Sequence, residues 1–450
     1  MAKKYIDVMD TTFRDGLDSM IDTHVSMEHF LPAVSVASEC GVTHFEFVEK
    51  NRFNSIDLLK VEDPFEMMVR FRESAGVEAN LQTNIYGLNN FMKSSASLEF
   101  CNLFSELFSK YETTTVRNYD PLNDIRNLES IGNSIVNSGM MNEIAITLME
   151  PSFSMPDIYD LEFYQNKIFD ILDSAIPFDS IAFIDENGTT TPSKIYEIVK
   201  FAREILGDSM HIRVHTHDTL GMGIAFYLAA LDAGADGIDL SSSPLSGGVG
   251  QPDILAMLHA TKGTNYNLGD LEIKKIEKYQ EFLKYSLRKY SITANAKEIH
   301  SDTIFNPIPK DEILVNIEKM KRDGNFHIFN KVLSKTTKVI EQAGYAAPIY
   351  PISQYYWEQA HANTIYGEFT KIIPEYGKIL LGYYGQTPIV PDPNIIEIAQ
   401  NKLNLKATTK SPIDIANGDK TKSIKYWKEK LKTKDIDATE ENIFLALCVK

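Results

Sequence analysis

The chain has only three cysteines in 450 residues, Cys40, Cys101 and Cys448, and they lie far apart. That excludes a disulfide framework and a CxxC ligand pair, so any bound metal must be held by nitrogen and oxygen ligands. Long apolar runs are missing as well. Nothing approaches the roughly 20 residues needed to cross a bilayer, and Met1-Ala2-Lys3-Lys4 leads straight into a strand-like run without a signal-peptide core. A soluble cytoplasmic protein is the expectation. Basic charge is in deficit, with 45 Lys and Arg against 62 Asp and Glu for a net charge of −17. Nucleic acid and anionic membrane are thereby excluded as partners, since both require a basic footprint. There is no low-complexity segment and no phosphate-cradling loop. Gly247-Gly248-Val249-Gly250 lacks the Lys-Ser/Thr of a P-loop and the spaced glycines of a dinucleotide fingerprint.

What is present is alternation. Short β-rich runs recur at 5–9, 42–48, 79–84, 113–118, 143–149, 180–184, 211–215 and 237–240, with helical patterns such as 27–40, 192–206 and 223–233 between them. Eight strand–helix alternations predict an α/β fold, a parallel (β/α)8 TIM barrel over residues 1–270. Residues 271–405 turn mostly helical, with amphipathic stretches at 271–290, 311–324 and 328–343, and read as a C-terminal helical domain. A polar link and a last helical tail occupy 406–450.

A barrel places its chemistry at the C-terminal ends of its strands, and here nearly every such end is polar. Two stand out: Asp10-Thr11-Thr12-Phe13-Arg14-Asp15 after the first strand, and His215-Thr216-His217 at the seventh. Imidazoles at i and i+2 share one face of a strand, so Asp15, His215 and His217 form a candidate site for one divalent cation, Zn, Mn, Co or Mg. Such an ion would polarise a carbonyl oxygen. Arg14 either stabilises the same oxyanion or pairs with Asp10 or another rim carboxylate.

The residues also carry a resemblance. The stretches 10–19, Glu62-Asp63-Pro64, Asp120-Pro121-Leu122-Asn123-Asp124, 185–192, 215–223 and 246–252 are similar to the metal-dependent barrels that make or break carbon–carbon bonds beside a carbonyl. These include isopropylmalate synthase and hydroxymethylglutaryl-CoA lyase. Pro351-Ile352-Ser353-Gln354 and Gly382-Tyr383-Tyr384-Gly385-Gln386-Thr387-Pro388 resemble the carboxyltransferase branch, the subunits or domains of pyruvate carboxylase and oxaloacetate decarboxylase. The resemblance implies a metal on Asp15, His215 and His217 with a carboxylated lysine as a further ligand. It further implies an Arg gripping a 2-oxo acid, a Thr relaying a proton to biotin, and a dimer built on the barrel.

At those last positions the chain departs from the family. The lysine is Ile184, the substrate Arg is Tyr86, and the relay Thr is Val249; a Gln of the first motif is Asp18, a Gly-Gly-Ala segment is Glu49-Lys50-Asn51, and a Gly-Gly pair is Lys310-Asp311. Loss of one preorganised transition-state donor costs roughly 3–4 kcal/mol, so losing three such roles, even non-additively, argues against ordinary biotin-dependent turnover. Biotin is not expected on this chain, which has no Met-Lys-Met target in a β-rich tail.

Arg14, Asp18, Glu49 and Lys50 are the candidate catalytic residues, and Tyr86, Arg52 and Gln251 the candidates for substrate contact. Glu49 and Asp18 are alternatives for the missing ligand, and Lys50 or Arg52 for the missing carboxylate grip; alternatively these charges pair among themselves. The expected function is a diverged metal-dependent enzyme that polarises a small 2-oxo acid or carboxylic acid for lyase, decarboxylase or aldol-type chemistry. The competing expectation is an inactive paralogue that serves a biotin-dependent carboxylase complex, partnered by a biotin carboxylase or carrier chain.

Overall fold

The computed structural model describes residues 3–21, 24–48, 51–86, 95–153 and 155–449. Eight parallel strands close into a barrel: β1 (Asp7–Asp10), β2 (His44–Glu46), β3 (Asn80–Tyr86), β4 (Thr115–Tyr119), β5 (Met141–Thr147), β6 (Ser180–Asp185), β7 (His211–Thr216) and β8 (Gly237–Leu240). Closure is direct, with Asp7 to Asp10 paired in register with Gly237 to Leu240. The eight runs read from the sequence are these eight strands, shifted at their ends by a residue or two. Among the described residues no helix is long and apolar enough to cross a membrane.

Local chemistry sets where the outer helices begin. Asp63 and Thr191 each accept a backbone N–H of the first helical turn, and each is followed by proline, whose fixed φ suits that position. The barrel interior is layered by the two-residue period of its strands. In the lower layer Arg117, Glu143, Arg213 and Asp239 form a buried ionic network. Arg117 donates to Glu143 at 2.5 Å and to Asp239 at 2.7 Å, and Arg213 donates to Asp239 at 3.0 Å. One step up β4 and β5 lie Tyr119 and Ala145, which with Ala182 and Ile184 of β6 form a small apolar cluster separate from the main core, with Tyr86 packed against it. The metal-ligand candidates lie at this upper end.

Several segments beyond residue 270 pack on the barrel. The helix Ile273–Ser286 lies against the helix Met27–Glu39, and its Tyr279 hydroxyl donates to Asp10 at 2.8 Å. The last helix, Glu440–Val449, packs on Leu98–Lys110, with the rings of Phe444 and Phe100 stacked 5.2 Å apart. The helical region is anchored by two of the sequence motifs meeting each other. Asp124 accepts the Gln386 N–H at 2.8 Å, and Asn127 donates to the Tyr384 carbonyl at 2.8 Å. Gly385 at that junction has φ +126°, and a Cβ there would stand 2.8 Å from the Asp124 carboxylate, so only glycine allows the approach.

Candidate metal centre

After β1 the chain makes a wide turn over Thr12–Gly16, in which the Gly16 N–H reaches back to the Thr11 carbonyl at 3.0 Å. This i→i+5 bond is of the π type, which often marks a functional site. The turn delivers Asp15 to the barrel mouth, buried. Asp15 Oδ2 is 3.6 Å from His215 Nε2, and Oδ1 is 3.7 Å from His217 Nε2. One ligand atom from each of the three buried residues falls in a group spanning no more than 4.8 Å. Ligands bonded to one divalent ion at about 2.0–2.2 Å lie roughly 3–3.5 Å apart, so little movement is needed to seat a cation.

The far nitrogens of both imidazoles are tied back. His215 Nδ1 lies 3.0 Å from Asp239, and His217 Nδ1–H donates to the Val249 carbonyl at 2.5 Å. A carboxylate and a carbonyl only accept, so in a neutral imidazole held this way the Nε2 atom carries its lone pair toward Asp15. Converging acceptors of this kind fit a cation. Burial alone would raise the Asp15 pKa, but Arg14, His217 and His215 outweigh it and hold the carboxyl well below its ordinary range. Replacing Asp239 by Asn is expected to weaken divalent-metal affinity about 10–100-fold, the usual effect of a ligand's supporting partner; calorimetric titration of the variant with Zn or Mn checks this.

The other sequence candidates fall in several places. Arg14 bridges Asp15 at 3.0 Å and Glu46 at 2.6 Å, which selects the rim-carboxylate pairing over Asp10. Gln251 is buried beside the centre: its Oε1 accepts from Thr11 and Ser241, and its Nε2 lies 3.2 Å from His217 Nε2. Tyr86 sets its ring edge against Tyr119 with centroids 4.6 Å apart. Arg52 is not brought to the triad; it is buried over Phe30, donating to Glu62 at 2.8 Å and to the Val25 carbonyl at 2.7 Å. Asp18 is exposed, facing Tyr350, while Ser19 takes the place beside Asp15 with a 2.8 Å bond. Glu49 and Lys50 lie outside the described residues.

Ile184 is paired in register with His215, so an aliphatic side chain stands next to the strand that carries this imidazole. The sequence reading missed the residue just past the end of this strand, Glu186. It accepts the Tyr119 hydroxyl at 2.7 Å, within electrostatic reach of His217, Asp15 and Arg14. Burial pushes its carboxyl up to about 7. Asp311, at the start of the helix Lys310–Arg322, is a second acid coupled to His217 and Asp15. Burial disfavours charge on His217, yet Asp15, Asp311, the Val249 carbonyl and Glu186 together raise its pKa. Gly188 also shapes the centre: it has φ +64°, and a Cβ there would meet the His217 carbonyl oxygen at 2.4 Å.

Comparison with known proteins agrees with this architecture. A family model described as HMGL-like matches residues 144–281, and one described as a conserved carboxylase domain matches residues 313–449. The chain is 24% identical over 439 residues to the methylmalonyl-CoA carboxyltransferase 5S subunit of Propionibacterium freudenreichii subsp. shermanii, which covers 97% of this chain and 84% of that protein. It is 26% identical over 395 residues to a pyruvate carboxylase subunit of Methanocaldococcus jannaschii, covering 87% and 68% respectively. Among solved structures, the carboxyl transferase domain of Rhizobium etli pyruvate carboxylase with pyruvate and biocytin superposes with a TM-score of 0.87 at 20% identity, over 99% of this chain and 76% of that one. At that identity the likeness establishes the fold.

Proposed function

We propose that this chain, which belongs to the carboxyltransferase family of pyruvate carboxylase domains and subunits, is a divalent-metal-dependent enzyme acting on a small 2-oxo acid or carboxylic acid without biotin turnover. The carrying observation is the convergence of Asp15, His215 Nε2 and His217 Nε2, with both imidazoles fixed from behind. A divalent ion held by these three residues supplies Lewis acidity toward a carbonyl oxygen. The protein's own groups do the rest. Asp239 and the Val249 carbonyl orient the two imidazoles, and Gln251 sits against His217. Arg14 adds positive charge at the mouth while neutralising Asp15 and Glu46. Burial holds the Tyr86 and Tyr119 phenols protonated far above neutral pH, so each remains an O–H group beside the centre.

The position of the family's lysine supports the absence of biotin chemistry. Ile184 packs there with Tyr119, Ala145 and Ala182, a setting that neither forms a carbamate nor binds metal. The chemistry left to such a centre is cleavage, decarboxylation or aldol-type bond making beside a carbonyl. Calorimetric titration of a panel of 2-oxo acids into metal-loaded protein tests the reading. At least one acid is expected to bind, with binding lost after chelation; failure of every acid to bind loaded protein contradicts it.

One observation favours a second reading. The apolar filling around Ile184, alongside a conserved carboxylase domain over residues 313–449, also suits an inactive subunit that assembles with a biotin carboxylase or carrier chain. A well-folded chain that stays metal-free, and that co-purifies with a biotinylated carrier, would favour it.

A further inference from the structure

We propose that Glu186 is the acid–base group of this centre, exchanging a proton with the carbon next to the carbonyl of the bound oxo acid, with Tyr119 as the residue that positions its carboxylate. The inference rests on the oxo-acid reading above and adds the residue that moves the proton.

The geometry is that of a held but half-used carboxylate. Glu186 begins the turn that follows β6, where its carboxylate meets the hydroxyl of Tyr119, a member of the apolar cluster around Ile184. Oε1 accepts the Tyr119 hydroxyl at 2.7 Å, whereas no described residue donates to Oε2. Charged and titratable groups reach it from every side. Arg14 and Asp15 come from the turn after β1, Tyr86 from the end of β3, Tyr119 from β4 and His217 from beyond β7. Glu186 is not part of the compact ligand group of Asp15, His215 and His217. It stands within electrostatic reach of His217 and Asp15 without joining them, as a base must if the carbonyl oxygen of a small substrate is turned toward the ligand atoms. A pKa raised to about 7 by burial leaves both protonation states populated near neutrality.

The step balances without a co-reactant. The C–H bond breaks and its proton passes to Glu186 Oε2; the bonding pair becomes the C=C of an enolate as the carbonyl π pair moves onto oxygen. Reversal returns a proton, or a deuteron in D2O, to carbon.

Oxalate, a planar dianionic mimic of the enolate form of a 2-oxo acid, is the probe. Titrated calorimetrically into metal-loaded protein at pH 8 in two buffers of different ionisation enthalpy, it is expected to bind with uptake of a substantial fraction of one proton. Glu186→Gln should abolish the uptake while metal content stays at the wild-type level, and Glu186→Asp should retain part of it. Deuterium exchange into the preferred 2-oxo acid should fall at least about 100-fold in Glu186→Gln. Wild-type uptake in Glu186→Gln, loss of bound metal in that variant, or failure of oxalate to bind would each overturn the proposal. Oxalate binding with Glu186-dependent uptake, but no exchange in any oxo acid, would contradict the oxo-acid reading and uphold Glu186 as the proton-carrying group.

Discussion

Replacing His215 by alanine is expected to lower divalent-metal affinity by at least about 100-fold, since even a ligand's supporting partner is worth roughly 10–100-fold. Among the described residues His215 contributes one of three side chains in the ligand group, and Asp15 with His217 makes a two-donor set that holds a cation far less tightly. The substitution leaves the supporting network largely intact, because Asp239 keeps Arg117 at 2.7 Å and Arg213 at 3.0 Å. The fold should therefore persist while the metal is lost. Elemental analysis after dialysis against trace metal reads the result directly: about one ion per wild-type chain and under about a tenth of that in the variant. A variant that keeps its metal would remove His215 from the ligand set.

The second large effect lies one layer below. Arg117→Met is expected to destabilise the protein by about 3–5 kcal/mol, the range for breaking a buried ion pair from one side. Arg117 is 1% exposed and serves Glu143 at 2.5 Å and Asp239 at 2.7 Å. Without it, two buried carboxylates share Arg213, whose Nε is 3.3 Å from Glu143 and which also holds Asp7. Methionine fills the volume but offers no donor, so the loss is one of charge compensation more than of packing. Thermal unfolding should show a lowered midpoint, partly restored by adding Glu143→Gln. A midpoint within a degree or so of wild type would mean that the network carries no stability. Because Asp239 also holds His215, the same variant should loosen metal binding, which links barrel stability to the centre.

The fold was legible because its signal is repetitive. Nearly every strand run ends at or beside a polar residue and is followed by a helical pattern, so weak cues reinforce one another. The ligand triad was legible for a related reason: His215 lies on β7 and His217 one residue past its end, and Asp15 closes a motif after another strand's end. The ionic layer was not. Arg117, Glu143, Arg213 and Asp239 sit inside strand runs, where a charge normally signals a solvent-facing side, and their partners lie 26 to 122 residues apart. Glu186 escaped because it lies just past the end of β6, and the missing lysine drew the reading to Ile184 instead. Arg52 illustrates the converse error. A cation shortly after a rim strand invites a substrate role, but Glu62 and the Val25 carbonyl lie within reach and hold it beside Phe30. Tyr279 shows a third limit, since a side chain from the region read as helical reaches Asp10 at the base of the mouth.

As proposed, Asp15, His215 and His217 form a working centre that activates a small oxo acid without biotin. Its most direct test is proton–deuterium exchange at the carbon beside the carbonyl, followed by NMR for a panel of 2-oxo acids in D2O with stoichiometrically metal-loaded protein and no biotin or carrier. Exchange is expected in at least one acid, dependent on the metal and abolished in His215→Ala. Absence of exchange in every acid, with the metal demonstrably bound, would contradict it.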